Sequence, residues 1–390
     1  MENAHWIASI SLLAVGAVAA IGAGVAAAVR QRDSSETPTL QMLKKLYQDK
    51  VDFSKRELDP YKSKAKDVVT TLLKLIQKHV RQGDPKIDEE PIGTGSAFEG
   101  VKVKPEVEFD FMVPIQVIFH QIIVSDDDHN VPGCFGLIQI EKSEWIQFHC
   151  ATVWGRDTAD FKEKFCIRFR SHGYVLSAKK IQQWFQSMCA RTLLELARYF
   201  PGFNFRFRTS GPARTLVFDW LGKEVNIDLV PAVQYEDAYL VAKMTSHLGE
   251  AAWRFSFSTH EKAFFQSLSP NYCYFKCLKI LKYLRENDKK MCPTSHLSSS
   301  CPSYYLKTAF VHQAGQSDQD IWKNEDLEDR VKNLLRYLAE CMGRKHLQHI
   351  YKNKTNLLKD VSSTTLEQIR FRLLYIHNNF ESVLQYHLQY

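Results

Sequence analysis

The sequence predicts an α+β protein: a mixed sheet with helices, then an all-helical lobe, with one apolar helix ahead of both. Three observations carry that expectation. Residues 107–115 (VEFDFMVPI) alternate acidic and apolar side chains with the period of two that marks a strand with one buried face, and 203–208, 215–221 and 223–233 repeat the signal. From about residue 258 nearly every segment has the helical period instead, as in YFKCLKILKYLRE and LEDRVKNLLRYLAECM. Residues 6–29 contain no Asp, Glu, Lys or Arg, and a helix of that length matches a hydrocarbon core of ~30 Å. The composition is that of a folded chain: 390 residues, 45% hydrophobic and 24% charged, which excludes a disordered polymer. Nine cysteines without dense regular spacing exclude a small disulfide scaffold, and a net charge of +7 allows phosphate-bearing ligands without requiring them.

Each element follows in order. Arg30 and Arg32 come directly after the apolar stretch, with Glu2 the only formal charge before it. The positive-inside rule then predicts a single-pass membrane anchor with the main domain in the cytosol. The organelle stays open between the mitochondrial outer membrane, the endoplasmic reticulum and the plasma membrane. Helices are predicted over 40–82, where Val68, Val69, Leu72, Leu73, Ile76 and Val80 form an apolar stripe that Gly83-Asp84-Pro85 ends. Strand signals follow at 107–115, 116–124, 136–140 and 144–149, and a helical run covers 176–200. The change from mixed to all-helical pattern falls between 235 and 260. The resulting division is 1–34 anchor and basic flank, 35–92 linker and N-terminal helices, 93–245 core, and 246–390 helical domain. Basic residues cluster in 162–180 and 276–290, and both runs also fit the solvated face of a strand or helix.

The chemistry concentrates after a short turn, Gly93-Thr94-Gly95-Ser96. Twelve residues beyond Ser96 come Glu108-Phe109-Asp110-Phe111. Residues two apart on a strand share a face, so Glu108 and Asp110 project together while the phenylalanines face the core. Adjacent carboxylates repel unless a cation lies between them, and a divalent metal is the usual one. Asp228, inside the apolar run VNIDLV, supplies a third acid of the same kind. Three such acids meet the needs of metal-dependent phosphoryl transfer, with the Gly-Ser turn presenting N–H groups and a hydroxyl to phosphates. An alternating acid/apolar strand taken alone is more often an ordinary half-solvated strand.

Gly95-Ser96, the step of twelve to Glu-Phe-Asp-Phe and the later strand bearing Asp228 together resemble the Mab-21 family of nucleotidyltransferase-fold proteins, which includes cyclic GMP–AMP synthase. Gly173-Tyr174 with LSAKKIQQWFQ (176–186), WRFSFSTHEK (253–262), KCLKILKYL (276–284) and SYYLKTAFVH (303–312) are similar to the family's later landmarks, in the same order. IGTGSAFEG (92–100) and LVPAVQYEDAYLVAK (229–243) resemble its inositol-trisphosphate-receptor-interacting branch. The resemblance covers roughly residues 65–360.

The resemblance implies a bilobed nucleotidyltransferase fold with a Mab-21-type helical lobe. It implies Mg2+ or Mn2+ held by Glu108, Asp110 and Asp228, which are also the catalytic acids, and NTPs as partners. Nucleotide contacts would come from Gly95, Ser96, Arg254, Ser256, Lys279, Ser303 and Lys307, with Tyr304 stacking on a base. DNA-sensing members carry a zinc thumb ahead of the KCLK helix. Between His260 and Cys277 this chain has Cys273 alone as a further cysteine, so neither a structural zinc nor a double-stranded DNA partner is expected. Two functions fit: a membrane-anchored nucleotidyltransferase making a nucleotide second messenger, or a non-catalytic adaptor that uses the same fold to hold a membrane-protein partner.

Overall fold

A computed structural model describes residues 36–117, 120–124, 134–140, 158–169, 172–210, 213–242 and 249–390. The apolar stretch 6–29 and the strand expected at 144–149 lie outside the described residues. Among the described residues no helix is long and apolar enough to cross a membrane. The expected localisation, a single-pass membrane protein with a cytosolic main domain, is thus not carried by any described helix. The longest described helix, Lys55–His79, has 25 residues and would reach about 37 Å, but Lys62, Lys66, Lys74 and Lys78 line it and exclude it from a bilayer.

The chain enters through α1 (Pro38–Leu46) and α2 (Lys55–His79), so the helical segment expected over 40–82 is two helices. Their break has a local cause. Asp52 is extended, and Ser54 begins α2 with a capping box, its hydroxyl accepting from the Glu57 N–H while the Glu57 carboxylate accepts from the Ser54 N–H. The sheet then builds through β1 (Lys86–Ile87), β2 (Ile92–Thr94), the single turn α3 (Gly95–Phe98), β3 (Val107–Gln116), β4 (His120–Val124) and β5 (Phe135–Ile140). Next come α4 (Thr158–Phe165), β6 (Cys166–Arg168), β7 (Tyr174–Leu176) and α5 (Ala178–Tyr199), the last capped by the Ser177 hydroxyl. Strands β8 (Arg206–Ser210), β9 (Ala213–Trp220), β10 (Lys223–Tyr235), β11 (Ala238–Ala242) and β12 (Trp253–Ser256) complete it.

These strands form one mixed sheet with the order β1-β3-β10-β11-β12-β5-β7-β6, β2 beside β3 and β9 beside β10. The β3–β10 pair is parallel, whereas the other described pairs are antiparallel. Parallel neighbours need a long crossover, and here α4 and α5 lie in the chain between them. The apolar stripe of α2 (Val68, Val69, Leu72, Leu73, Ile76) and that of α5 (Ile181, Phe185, Met188) bury against Phe109, Phe111, Ile227 and Leu229 of the two strands, making the first core.

Helices α6 (Ser258–Ser267), α7 (Tyr274–Met291), α8 (Leu297–Ser300), α9 (Ser303–Gln316), α10 (Leu327–Gly343), α11 (Ser363–Asn378) and α12 (Phe380–Gln389) make the helical lobe. Its core is separate and holds Leu278, Leu281, Phe310, Trp322, Leu335 and Ile369. Helix α1 contributes Leu40, Leu43 and Leu46 to this second core, not to the first, and packs on α12. Residues grouped by sequence as one N-terminal block therefore serve both lobes.

Candidate functional site

Two neighbouring strands carry the three acids. On β3 the buried Val107, Phe109 and Phe111 alternate with partly exposed Glu108 and Asp110. The parallel register sets Asp110 directly beside Asp228 and Glu108 beside Asn226. In-register residues of adjacent strands share a face, so all three carboxylates project from one side of the sheet. Asp228 is oriented from its other neighbour: Thr215 of β9, its register partner, donates its hydroxyl to Asp228 Oδ1 at 2.5 Å. Glu108 accepts from the Lys102 ammonium at 3.2 Å, and that lysine is 7% exposed.

The glycines of the preceding turn are required by what lies against them. At Gly93 a Cβ would stand 2.2 Å from the Phe98 ring, which packs edge-on over Phe109 and Phe111. Gly95 has φ +72°, and a Cβ there would stand 2.2 Å from Asp110 Oδ2. The turn thus lays its main chain directly on the Asp110 carboxylate, with Thr94 opposite Asp110 in the β2–β3 register. Ser96 sits half-buried on the same turn.

Negative charge here exceeds its local compensation. Burial, and then the neighbouring Glu108 and Asp228, push the Asp110 carboxyl up to about 7, while Lys102 pulls the other way. Burial also raises Asp228, against the Thr215 hydrogen bond. Three oxygen-donor carboxylates, offset by a single buried lysine, form a donor set that suits a hard divalent cation. The side chains are not drawn into a ready ligand cluster, for among the described residues no three His, Cys, Asp or Glu groups are placed to hold a metal. Glu108 and Asp228 are instead hydrogen-bonded to Lys102 and Thr215.

The residues expected from the helical lobe divide differently. Arg254 and Ser256 share the half-exposed face of β12, with Ser256 hydrogen-bonded to Ser258 at 2.7 Å. Ser303 is half-buried at the start of α9. Lys279 is 6% exposed and donates to Asp52 at 2.8 Å, so it ties α7 to the segment between α1 and α2. Tyr304 faces His349, with Oη 3.2 Å from Nε2. Its phenol is raised by burial and by the nearby Glu261 carboxylate. Lys307 donates to Glu99 at 2.9 Å and to Glu261 at 2.7 Å, two carboxylates whose side chains are 1% and 6% exposed. Burial pulls the Lys307 ammonium down, but Glu261 and Glu99 outweigh it and raise it above its ordinary value. Glu108, Asp110, Asp228, Gly95 and Ser96 therefore stand together, whereas Lys279, Tyr304 and Lys307 are occupied by intramolecular partners.

Sequence reasoning missed Lys102, Thr215, Glu99, Glu261 and Lys282. Lys282 donates to the Val101 carbonyl at 2.9 Å, and its burial pushes the ammonium down to about 8. Glu99 and Lys102 lay within reach, since the run GSAFEGVK places both on the segment joining the glycine turn to β3. Thr215 had no signal beyond the register of β9 on β10.

The parallel pair bearing these acids, the glycine turn against them and the adjoining helical lobe define a mixed α+β protein of the nucleotidyltransferase-like class with a curled sheet. The chain belongs to the Mab-21 family: the Mab-21 protein nucleotidyltransferase domain matches residues 97–267, and the Mab-21 protein HhH/H2TH-like domain matches 273–374. It is 30% identical over 297 residues to the inositol 1,4,5-trisphosphate receptor-interacting protein of Danio rerio, a match covering 67% of this chain and 53% of that one. It is 26% identical over 383 residues to cyclic GMP-AMP synthase of Mus musculus, covering 84% and 69%. A cyclic GMP-AMP synthase-like receptor of Tribolium castaneum is 24% identical over 358 residues, covering 81% and 83%. The chain thus spans about half the length of the receptor-interacting relative.

Proposed function

We propose that this chain binds a nucleoside triphosphate with a divalent cation at Glu108, Asp110 and Asp228 and acts as a metal-dependent nucleotidyltransferase. One observation carries the reading: three carboxylates projecting from one face of β3 and β10, with Asp110 pushed up to about 7 by burial and by the other two acids. Excess negative charge of this kind recruits a cation. The cation, Mg2+ or Mn2+, would supply the positive charge that neutralises the phosphates and polarises an attacking hydroxyl. The protein's own part is positioning. Thr215 fixes the Asp228 carboxylate by donating to Oδ1, leaving the second oxygen for a ligand. Lys102 steadies Glu108. Gly95, lacking a Cβ, lets the turn close on Asp110, so that the Ser96 hydroxyl can reach a phosphate at that edge. Synthesis of cyclic GMP-AMP is the activity that the name of the mouse relative gives for that protein.

A second reading has its own support. Lys279, Tyr304 and Lys307 are all engaged by protein groups, as in a fold kept for binding without turnover. The chain would then be a regulator that holds a protein partner; the zebrafish relative's name describes that protein as interacting with the inositol 1,4,5-trisphosphate receptor.

The test uses the full chain with each NTP and Mn2+, following thermal stabilisation and product formation, beside Asp228→Asn. Binding at a hundredfold excess over the dissociation constant stabilises the fold by about 2.7 kcal/mol. Stabilisation and product that both vanish in Asp228→Asn support the enzyme. Stabilisation without product under any NTP pair supports the regulator, and no Asp228-dependent stabilisation rejects nucleotide binding at these acids.

A further inference from the structure

We propose that a second pocket, sharing no residue with the carboxylate site, binds a small phosphate-bearing molecule with a flat apolar body. The pocket lies between α4, α5 and the turn that follows α2, and its volume is about 460 Å³, within the range of small-molecule sites. Its floor is apolar and buried: Trp184, Phe165 and Met188 are 7%, 1% and 4% exposed. Its wall is cationic, with Arg81, Lys164, Lys180 and Arg191, against Asp84 and Glu163.

The arrangement leaves positive charge for a ligand. Asp84, 2% exposed, is consumed within the protein. Its carboxylate accepts from the Lys164 ammonium, from Trp184 Nε1 at 3.3 Å and from the Arg81 main-chain N–H at 3.4 Å. Asp84 thereby both neutralises Lys164 and fixes the indole that floors the pocket. Lys180 is anchored without a counter-charge, donating to the carbonyls of Glu163 at 2.9 Å and Cys166 at 2.7 Å. Among the described residues, neither the Arg81 nor the Arg191 guanidinium pairs with a carboxylate. Glu163 alone then opposes Arg81, Lys180 and Arg191. A fixed ammonium and two guanidinium forks over an aromatic floor discriminate in two ways. The forks favour the tetrahedral, multiply charged oxygens of a phosphate over a single carboxylate. The floor favours a planar apolar body, which leaves water on binding. A solvated basic helix face would need neither the buried indole nor the carbonyl-anchored lysine.

The experiment titrates the full chain with phenyl phosphate and with inorganic phosphate by calorimetry, in chelator so that the carboxylates recruit no cation. The expected result is saturable binding of phenyl phosphate below about 1 mM, about tenfold or more tighter than inorganic phosphate because the ring is buried on the floor. In Arg81→Gln/Arg191→Gln the affinity falls by about tenfold or more, with the circular dichroism spectrum unchanged, since both arginines are exposed. Asp228→Asn leaves the affinity as it was. Equal affinity in the double arginine variant overturns the proposal, as does loss of binding in Asp228→Asn, which assigns the probe to the carboxylates. Equal affinity for the two phosphates overturns the assignment of a flat body.

Discussion

Replacing Lys307 by Met separates a structural lysine from a nucleotide-contacting one. The substitution keeps the length and apolar stem of the side chain and deletes the charge that lies 2.9 Å from Glu99 and 2.7 Å from Glu261. Both acids are buried, and Lys282, whose ammonium donates to the Val101 carbonyl, does not replace the lost ion pairs. One lysine shared by two acids already leaves a shortfall, and burial raises the Glu99 carboxyl despite Lys307. Removing the cation from a buried network of this kind costs about 3–5 kcal/mol. The compact unit Pro38–Tyr390 unfolds with an entropy of about 0.7 kcal/mol/K, taking about 2.1 cal/mol/K per residue. The melting temperature should therefore fall by about 4–7 °C. Differential scanning calorimetry measures it, and Glu99→Gln/Glu261→Gln added to Lys307→Met should recover more than half of the loss, because no buried charge then lacks a partner. A Lys307→Met protein that melts within 1 °C of wild type (about 0.7 kcal/mol) but loses NTP-dependent stabilisation would refute this reasoning and return Lys307 to the phosphates.

Two further outcomes follow from the same structure. Gly95→Ala places a Cβ 2.2 Å from Asp110 Oδ2 at φ +72°; it should cost about 1–2 kcal/mol in backbone strain and abolish Mn2+-NTP stabilisation, and an alanine variant that retains both stability and ligand response would contradict the proposed contact. His349, 4% exposed, is pushed by burial down to about 4 from 6.5, so the folded state binds fewer protons than the unfolded state between those values. Its neutral ring contributes stability in full above pH 6.5, relative to acid, and about 3 kcal/mol is lost as pH falls through the window to 4. Urea titrations of wild type and His349→Gln across that range should show a shallower slope in the variant, with His387, also held down to about 4, supplying part of what remains; parallel slopes would exclude the assignment.

Glu108, Asp110 and Asp228 are legible in the sequence because strand periodicity alone decides which face a residue takes. The period of two puts Val107, Phe109 and Phe111 in the core and the acids outside it, and the β3–β10 register then follows from matching two buried faces. Gly95 is legible for a related reason, since a left-handed turn against a carboxylate admits little else. The boundary of α1 is not legible, because helical periodicity is the same whether a helix packs on a sheet or on other helices. Leu40, Leu43 and Leu46 join the helical lobe through α12, about 340 residues away in sequence, and no local pattern marks such a partner.

The lysines of the helical lobe show the same limit in energetic form. A motif such as SYxxK names a residue type, but the partner of the ammonium is set by what else is buried within reach. A phosphate drawing Lys307 from its pocket would gain a charge-assisted hydrogen bond of about 1.5–3 kcal/mol. It would strand Glu99 and Glu261 at a cost of about 3–5 kcal/mol. The exchange is unfavourable while both acids remain ionised and buried, so in this arrangement Lys307 stays where it is. If the proposed triphosphate binds at Asp110, its contacts would then come from the cation, the Gly95–Ser96 turn and the edge near Lys102, with the helical lobe as support. If the lobe contributes Lys307 directly, Glu261 must first be neutralised or moved. Glu261→Gln should accordingly raise NTP affinity in an enzyme that recruits the lysine, and leave it unchanged in one that does not.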